Sequence, residues 1–171
     1  MNNNLYQDIV EVYPKIFISN WYTSNNPYII DKYKIKAVIT LETRPKPQDI
    51  INYYKNNNID FMYIYIPDNH LSKINSYFDP TLSFIIKHLK KNENVLIHCY
   101  AGISRSSTII LNYIMYDLYF NKRFIMKPND MINYALKIIR YNRHFIQPNI
   151  GFMHELYKQA VLYYNKSLIR V

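Results

Sequence analysis

Between Val95 and Tyr119 the sequence sets an apolar run, Val95-Leu96-Ile97, before a short loop and a helical pattern. The loop reads His98-Cys99-Tyr100-Ala101-Gly102-Ile103-Ser104-Arg105-Ser106. A buried strand that ends in a tight loop and feeds a helix is the architecture of an anion site. There the helix N-terminus and the unpaired N–H groups of the loop converge on one point. This loop opens with the only cysteine of the chain and closes with an arginine. The spacing lets the backbone wrap a tetrahedral oxyanion, with the Cys99 thiol beneath it and the Arg105 guanidinium clamping two oxygens. Gly102 permits the backbone angles and the close approach, in a chain that uses only two glycines. The same dipoles favour the thiolate of Cys99 as a nucleophile. Ser106 is placed to offer its hydroxyl to the departing sulfur, and His98 to order the loop by hydrogen bonds. A structural cysteine beside a helix cap is the simpler alternative. The joint pattern of His, Cys, Gly and Arg weighs against it.

The rest of the chain alternates strands with helices. Ile9 to Val12 and Ile16 to Ile18 read as strands turned by Pro14-Lys15. Asn26-Pro27 starts a helix to about Tyr33. Ala37 to Leu41 is a buried strand, and Pro47 opens a helix that Asn56-Asn57-Asn58 ends. Phe61 to Ile66 is a strand stopped by Pro67. Asp79-Pro80 starts a helix, with Asp79 as its cap and Leu82, Ile85, Ile86 and Leu89 at helical spacing. After Val95-Leu96-Ile97, helices are expected over about 104–119, 129–142 and 152–164. The pattern predicts an α/β fold with a central, mainly parallel sheet flanked by helices. It predicts one domain over 1–171, with a core of about 13–163 and a frayed tail over 165–171.

Hydrophobic residues make up 49% of the chain and charged ones 19%, which excludes a disordered chain. A lone cysteine allows no intrachain disulfide and suits a reducing intracellular compartment, cytoplasmic or nuclear. Met1-Asn2-Asn3-Asn4 does not resemble a signal peptide, and no apolar run is long enough for a membrane anchor. The net charge of +9 invites a nucleic-acid partner, but no long basic run occurs. A solvated basic surface suited to anionic substrates is the favoured reading. No ligand cluster for a metal is visible, no cofactor is implied, and nothing signals an oligomeric state.

His-Cys-x-x-Gly-x-x-Arg-Ser resembles the signature of the protein tyrosine phosphatase superfamily. The version Ala101-Gly102-x-Ser104-Arg105-Ser106, in a short chain, is similar to dual-specificity phosphatases, compact viral members among them. The likeness runs from about Tyr13 to Tyr163. Ile146-Gln147-Pro148-Asn149-Ile150-Gly151-Phe152 resembles the element of that family that buttresses the phosphate loop, which implies loop support from Asn149 and accounts for the second glycine. One departure is that Tyr119 to Pro128 lengthens the connection after the loop helix.

The resemblance implies a general acid from a mobile loop that follows a strand, roughly thirty residues before the cysteine. Asp68, in Ile66-Pro67-Asp68-Asn69-His70, fits that place. His70 is a weaker competitor, and Asp60 and Asp79 belong to a strand start and a helix start. For Arg143 the resemblance implies loop support or a place at the pocket rim, against a second anionic group. With Arg140, three residues before, it also suits a helix C-terminus. Tyr100 is an aromatic candidate for the pocket wall. The implied reaction is metal-free hydrolysis of phosphotyrosine and phosphoserine/phosphothreonine in proteins through a phosphocysteine. An RNA 5′-triphosphatase of the same fold, a phosphoinositide phosphatase and a non-catalytic phosphoprotein-binding relative are the alternatives. The uncharged residues between Cys99 and Arg105 argue against phosphoinositides, and the presence of both Cys99 and Arg105 argues against the non-catalytic reading.

Overall fold

The structure, a computed structural model, describes residues 9–169. Strands β1 (Ile9–Tyr13) and β2 (Ile16–Ser19) fold back on each other through Pro14-Lys15. Lys15 takes a left-handed conformation there at φ 62°. A one-turn helix, α1 (Trp21–Ser24), leads to α2 (Pro27–Lys32), where Asn26 accepts from the Tyr28 N–H and Pro27 occupies the first turn. Then come β3 (Ile35–Glu42), α3 (Gln48–Asn56) and β4 (Asp60–Tyr65). A 3₁₀ turn over Ile74–Tyr77 runs into α4 (Phe78–Leu89), followed by β5 (Asn94–His98) and α5 (Arg105–Tyr116). A wide π-type turn, Asp117–Asn121, precedes α6 (Pro128–Asn142) and α7 (Ile150–Ile169).

The strands form one sheet in the order β1-β2-β5-β3-β4, with β2, β5, β3 and β4 parallel and only β1 antiparallel. The alternation of strand side chains divides the core in two. Val95 and Ile97 face one layer with Ala37, Ile39 and Leu41, against α4 to α7. Leu96 and Val38 face the other with Ile30, Ile50 and Tyr54 of α2 and α3. Helix α5 is buried on every side, as its run Ile109-Ile110-Leu111 requires. The C-terminal ends of the parallel strands share one edge, so Ser19, Thr40 and His98 lie side by side in register. In open α/β sheets this edge is where ligands bind.

Three readings of the sequence change. Asp79 does not cap a helix: the 3₁₀ turn feeds α4 directly, so Asp79 falls in its first turn, where a carboxylate still suits the positive helix end. The short helix α1 was not expected, because a four-residue element shows no periodicity. Residues 165–169 are not frayed but continue α7, since Tyr163 and Ser167 are buried against the domain. The last two residues of the expected tail, 170–171, lie outside the described residues, as do residues 1–8. Among the described residues no helix is long and apolar enough to cross a membrane.

The segment beyond α5 is fastened to the sheet edge by Tyr13, whose hydroxyl donates to the buried Asp117 carboxylate at 2.6 Å and accepts from Lys122 Nζ at 2.6 Å. Together with burial, that carboxylate holds the Tyr13 hydroxyl well above the ordinary tyrosine range, so it stays a donor. Tyr13→Phe should lower stability by about 2 kcal/mol, the usual worth of a hydrogen bond to a charged group. Urea denaturation should show an earlier midpoint with an unchanged slope.

Candidate active site

A loop curled so that its N–H groups point inward turns its carbonyls outward, and buried carbonyls need donors. Between β5 and α5 each is met. Trp21 N–H donates to Tyr100 O at 2.9 Å, and Gln147 N–H to Ile103 O at 3.1 Å. The Arg143 guanidinium donates to Gly102 O at 3.0 Å and to Ala101 O at 3.2 Å. Ser104 O accepts from the Thr108 N–H within the helix. Gly102 sits at φ +67°, and a β-carbon there would stand 2.5 Å from Ser19 O, so both strain and space demand glycine. At Gly151 a β-carbon would run into the carbonyl of His70, which ties the start of α7 to the loop that carries Asp68.

Cys99 is buried at the floor of this loop. Its Sγ accepts from the Gly102 N–H at 3.2 Å and lies 3.2 Å from the Ser106 hydroxyl. No side chain caps the N-terminus of α5, which leaves its first N–H groups for a ligand. Arg105, buried as well, donates from Nη1 to Glu42 Oε1 at 3.3 Å and to Ile66 O at 3.2 Å. Its Nε, 3.6 Å from Asp68 Oδ2, has no hydrogen bond.

Asp68 is clamped to the same loop. Its Oδ1 accepts from the Ser104 hydroxyl at 2.7 Å and from Asn149 Nδ2 at 2.8 Å. Asn149 also accepts from the Phe152 N–H at the start of α7, while its own N–H donates to Ser104 Oγ. Cys99, Ser104, Arg105, Ser106, Asp68 and Asn149 therefore converge. Of the two places expected for Arg143, loop support and the pocket rim, its contacts match the first. It is 3% exposed and spends its guanidinium on loop carbonyls, so it braces the loop from behind. Arg140 likewise donates to Ile146 O. The rim is formed instead by Tyr100, with the Arg44 guanidinium 4.4 Å over its ring and Tyr22 alongside. Hydrogen bonding with Tyr22 and the Arg44 charge lower the pKa of the Tyr100 hydroxyl.

His98 is fully enclosed. Burial, then the charge of Lys46, holds its pKa well below the usual histidine range, so the ring is neutral. Its Nδ1 faces Cys99 O at 3.4 Å, and its Nε2 lies 2.6 Å from Thr40 Oγ1 and 3.0 Å from Lys46 Nζ.

A family model described as "Dual specificity phosphatase, catalytic domain" matches residues 16–161. The chain belongs to that family. It is 31% identical over 86% of its length to the dual specificity protein phosphatase MPK-4 of Drosophila melanogaster. It is 28% identical over 88% of its length to dual specificity protein phosphatase 1B of Arabidopsis thaliana. The chain spans 35% of the fly protein and 80% of the plant one. Among solved structures, the Yvh1 phosphatase domain from Chaetomium thermophilum superposes with a TM-score of 0.76 at 21% identity, covering 88% of this chain and 92% of that one. Human DUSP28 gives 0.75 at 16% identity, covering 92% and 95%. At such identities these two likenesses speak for the fold.

Within this dual specificity phosphatase domain, the roles of four residues were not legible beforehand. Glu42, which receives Arg105, ends β3 on the same sheet edge as Cys99; a carboxylate closing an apolar run was the available signal. Ser104 was expected as a residue of the phosphate-binding loop, and what was not legible is that its side chain joins the Asp68 loop to that loop. Arg44 and Lys46 lie in a connection without periodicity, where only the flanking prolines of Pro45-Lys46-Pro47 hinted at a fixed backbone.

Lys46 is buried, which pushes its pKa down from 10.5 to about 7. The unfolded chain keeps that proton to the ordinary lysine range. Between those two values the unfolded state thus binds more protons, and the lysine makes stability rise with pH. Tyrosines with raised values, such as Tyr53 and Tyr119, act oppositely and only above their ordinary range. Lys46→Met should flatten the rise in urea midpoint between about pH 7 and about pH 9.5. A slope equal to that of the unaltered chain would show Lys46 to be charged and hydrated throughout.

Proposed function

We propose that this chain hydrolyses phosphotyrosine and phosphoserine/phosphothreonine in phosphorylated proteins through a phosphocysteine. The reading is carried by the position of the Cys99 sulfur, at the uncapped N-terminus of α5 and within reach of Gly102 N–H and Ser106 Oγ. Family membership supports it, as does the buried Arg105 Nε, a donor without a hydrogen bond that an oxyanion could take up. Because the chain spans only about a third of the length of several of its relatives, it is the catalytic segment that carries this proposal.

In the first step the Cys99 thiolate attacks phosphorus. A P–S bond forms, the P–O bond to the leaving group breaks, and Asp68 gives its proton to the departing oxygen. In the second, Asp68 as carboxylate takes a proton from water as that water attacks phosphorus. The P–S bond breaks, and the Ser106 hydroxyl stabilises the sulfur as it leaves. Loop N–H groups and Arg105 hold the charge on the equatorial oxygens throughout. Glu42 fixes the guanidinium, and Ser104 with Asn149 fixes Asp68.

Cys99→Ser should retain fold and oxyanion binding and lose turnover of a phosphotyrosine and a phosphothreonine peptide. Turnover in that variant would place the nucleophile elsewhere. A side-by-side release assay with phosphoinositide and triphosphate-ended RNA should favour the peptides. Asp68→Asn should slow kcat by roughly 10²- to 10⁴-fold and flatten the alkaline limb of kcat/KM, because the amide has no proton to lose. An unchanged profile would assign the acid to another residue.

A further inference from the structure

Lys46 has no part in the chemistry above, yet it lies beneath the loop that performs it. The side chain is 6% exposed. Its Nζ stands 3.0 Å from His98 Nε2 on β5 and 3.2 Å from Ser24 Oγ on α1. The Trp21 ring, also on α1, is 5.2 Å away, and the Tyr54 ring on α3 is 5.6 Å away. Tyr54 gives its own O–H to Ser24 O and, held above the usual tyrosine range by burial, offers only a neutral ring. From β3, Thr40 shares His98 Nε2. Burial is the single cause shifting Lys46, and among the described residues no carboxylate pairs with it. Arg105, whose charge also acts on His98, is already matched by Glu42.

A buried ammonium that has lost its water needs negative charge in exchange. Negative charge arises next to His98, at the Cys99 loop. The link is direct. Cys99 O can only accept and the Lys46 ammonium can only donate, so both contacts are satisfied together when the neutral imidazole carries its proton on Nδ1 and Nε2 accepts from Lys46, with the Thr40 hydroxyl also at Nε2. Resting on the phosphoester reading of this loop, we propose that Lys46 is its buried counter-charge and positioning residue. As an ammonium Lys46 holds His98 with Nδ1–H on the Cys99 carbonyl, and the fraction resting as the neutral amine takes up a proton from solvent when an oxyanion enters. With a value near 7, both forms of Lys46 are populated at neutral pH, and an arriving anion has a proton equilibrium to shift.

Tungstate, a dianion throughout the neutral range, is the probe. It is titrated calorimetrically into the full chain carrying Cys99→Ser, which removes the thiol as a proton acceptor. Two buffers of different ionisation enthalpy, at about pH 8, count the protons taken up. With Lys46 present, binding should take up roughly half a proton or more. Lys46→Met in the same background should take up almost none and bind roughly tenfold more weakly at about pH 6.5. Lys46→Arg, permanently charged, should bind without uptake. Equal uptake with Lys46 and with Lys46→Met overturns the proposal and leaves the oxyanion site standing. No tungstate binding at any pH overturns the phosphoester reading and this proposal with it. Carbon NMR of the lysine Cε resonances asks the same of the otherwise unaltered Cys99→Ser chain, should Lys46→Met not fold. One lysine should titrate near neutrality and move up by about one unit or more with tungstate. The absence of such a lysine overturns the proposal.

Discussion

A loop that turns its N–H groups toward one point must leave its carbonyls facing the protein, and everything around Cys99 follows from meeting them. Each donor comes from a different part of the chain: α1 supplies Trp21, the end of α6 supplies Arg143, and the approach to α7 supplies Gln147. A curled backbone held at so many places is preorganised for a tetrahedral anion and needs no rearrangement to receive one. The two glycines mark the tightest points of the same assembly. One lets the loop pass Ser19, and the other lets α7 close on the segment that holds Asp68.

The charges are arranged with the same economy. Arg105 is buried against Glu42, yet keeps one donor unspent, and Glu42 keeps one buried oxygen without a partner. Such atoms are rare in folded proteins, and of the two only the Arg105 donor is of a kind that an oxyanion could satisfy. Asp68 is held by the Ser104 hydroxyl of the phosphate loop and by the Asn149 amide just before α7, so the Asp68 and Cys99 segments are tied together through Ser104. Beneath them the neutral His98 lies between the buried Lys46 and the Cys99 carbonyl, with one ring nitrogen against each.

Family membership and geometry meet on this loop but speak to different things. The family model covers most of the chain and fixes what kind of domain it is. The geometry tells how this particular sequence holds the loop: by Arg143 from behind, by Tyr100 and Arg44 at the mouth, and by Lys46 below.

The sequence by itself determined the strand-loop-helix unit, the parallel sheet and the convergence of Cys99, Arg105 and Ser106, because these depend on residues near one another in the chain. Period-2 and helical patterns, prolines at helix starts and a glycine inside a tight loop are local signals. Asp68 and Asn149 were named only through the resemblance to a known family, and the structure brings both against Ser104. Only the tertiary structure decided that Arg143 is a brace and not a rim, since its direction depends on how α6 meets a loop far away in sequence. The same holds for Glu42 and Lys46, which are brought to the site by the parallel register of β3 and β5 and by the fold of α1 and α3. The cause is physical: hydrogen bonds and burial between distant segments are set by packing, which local pattern does not encode.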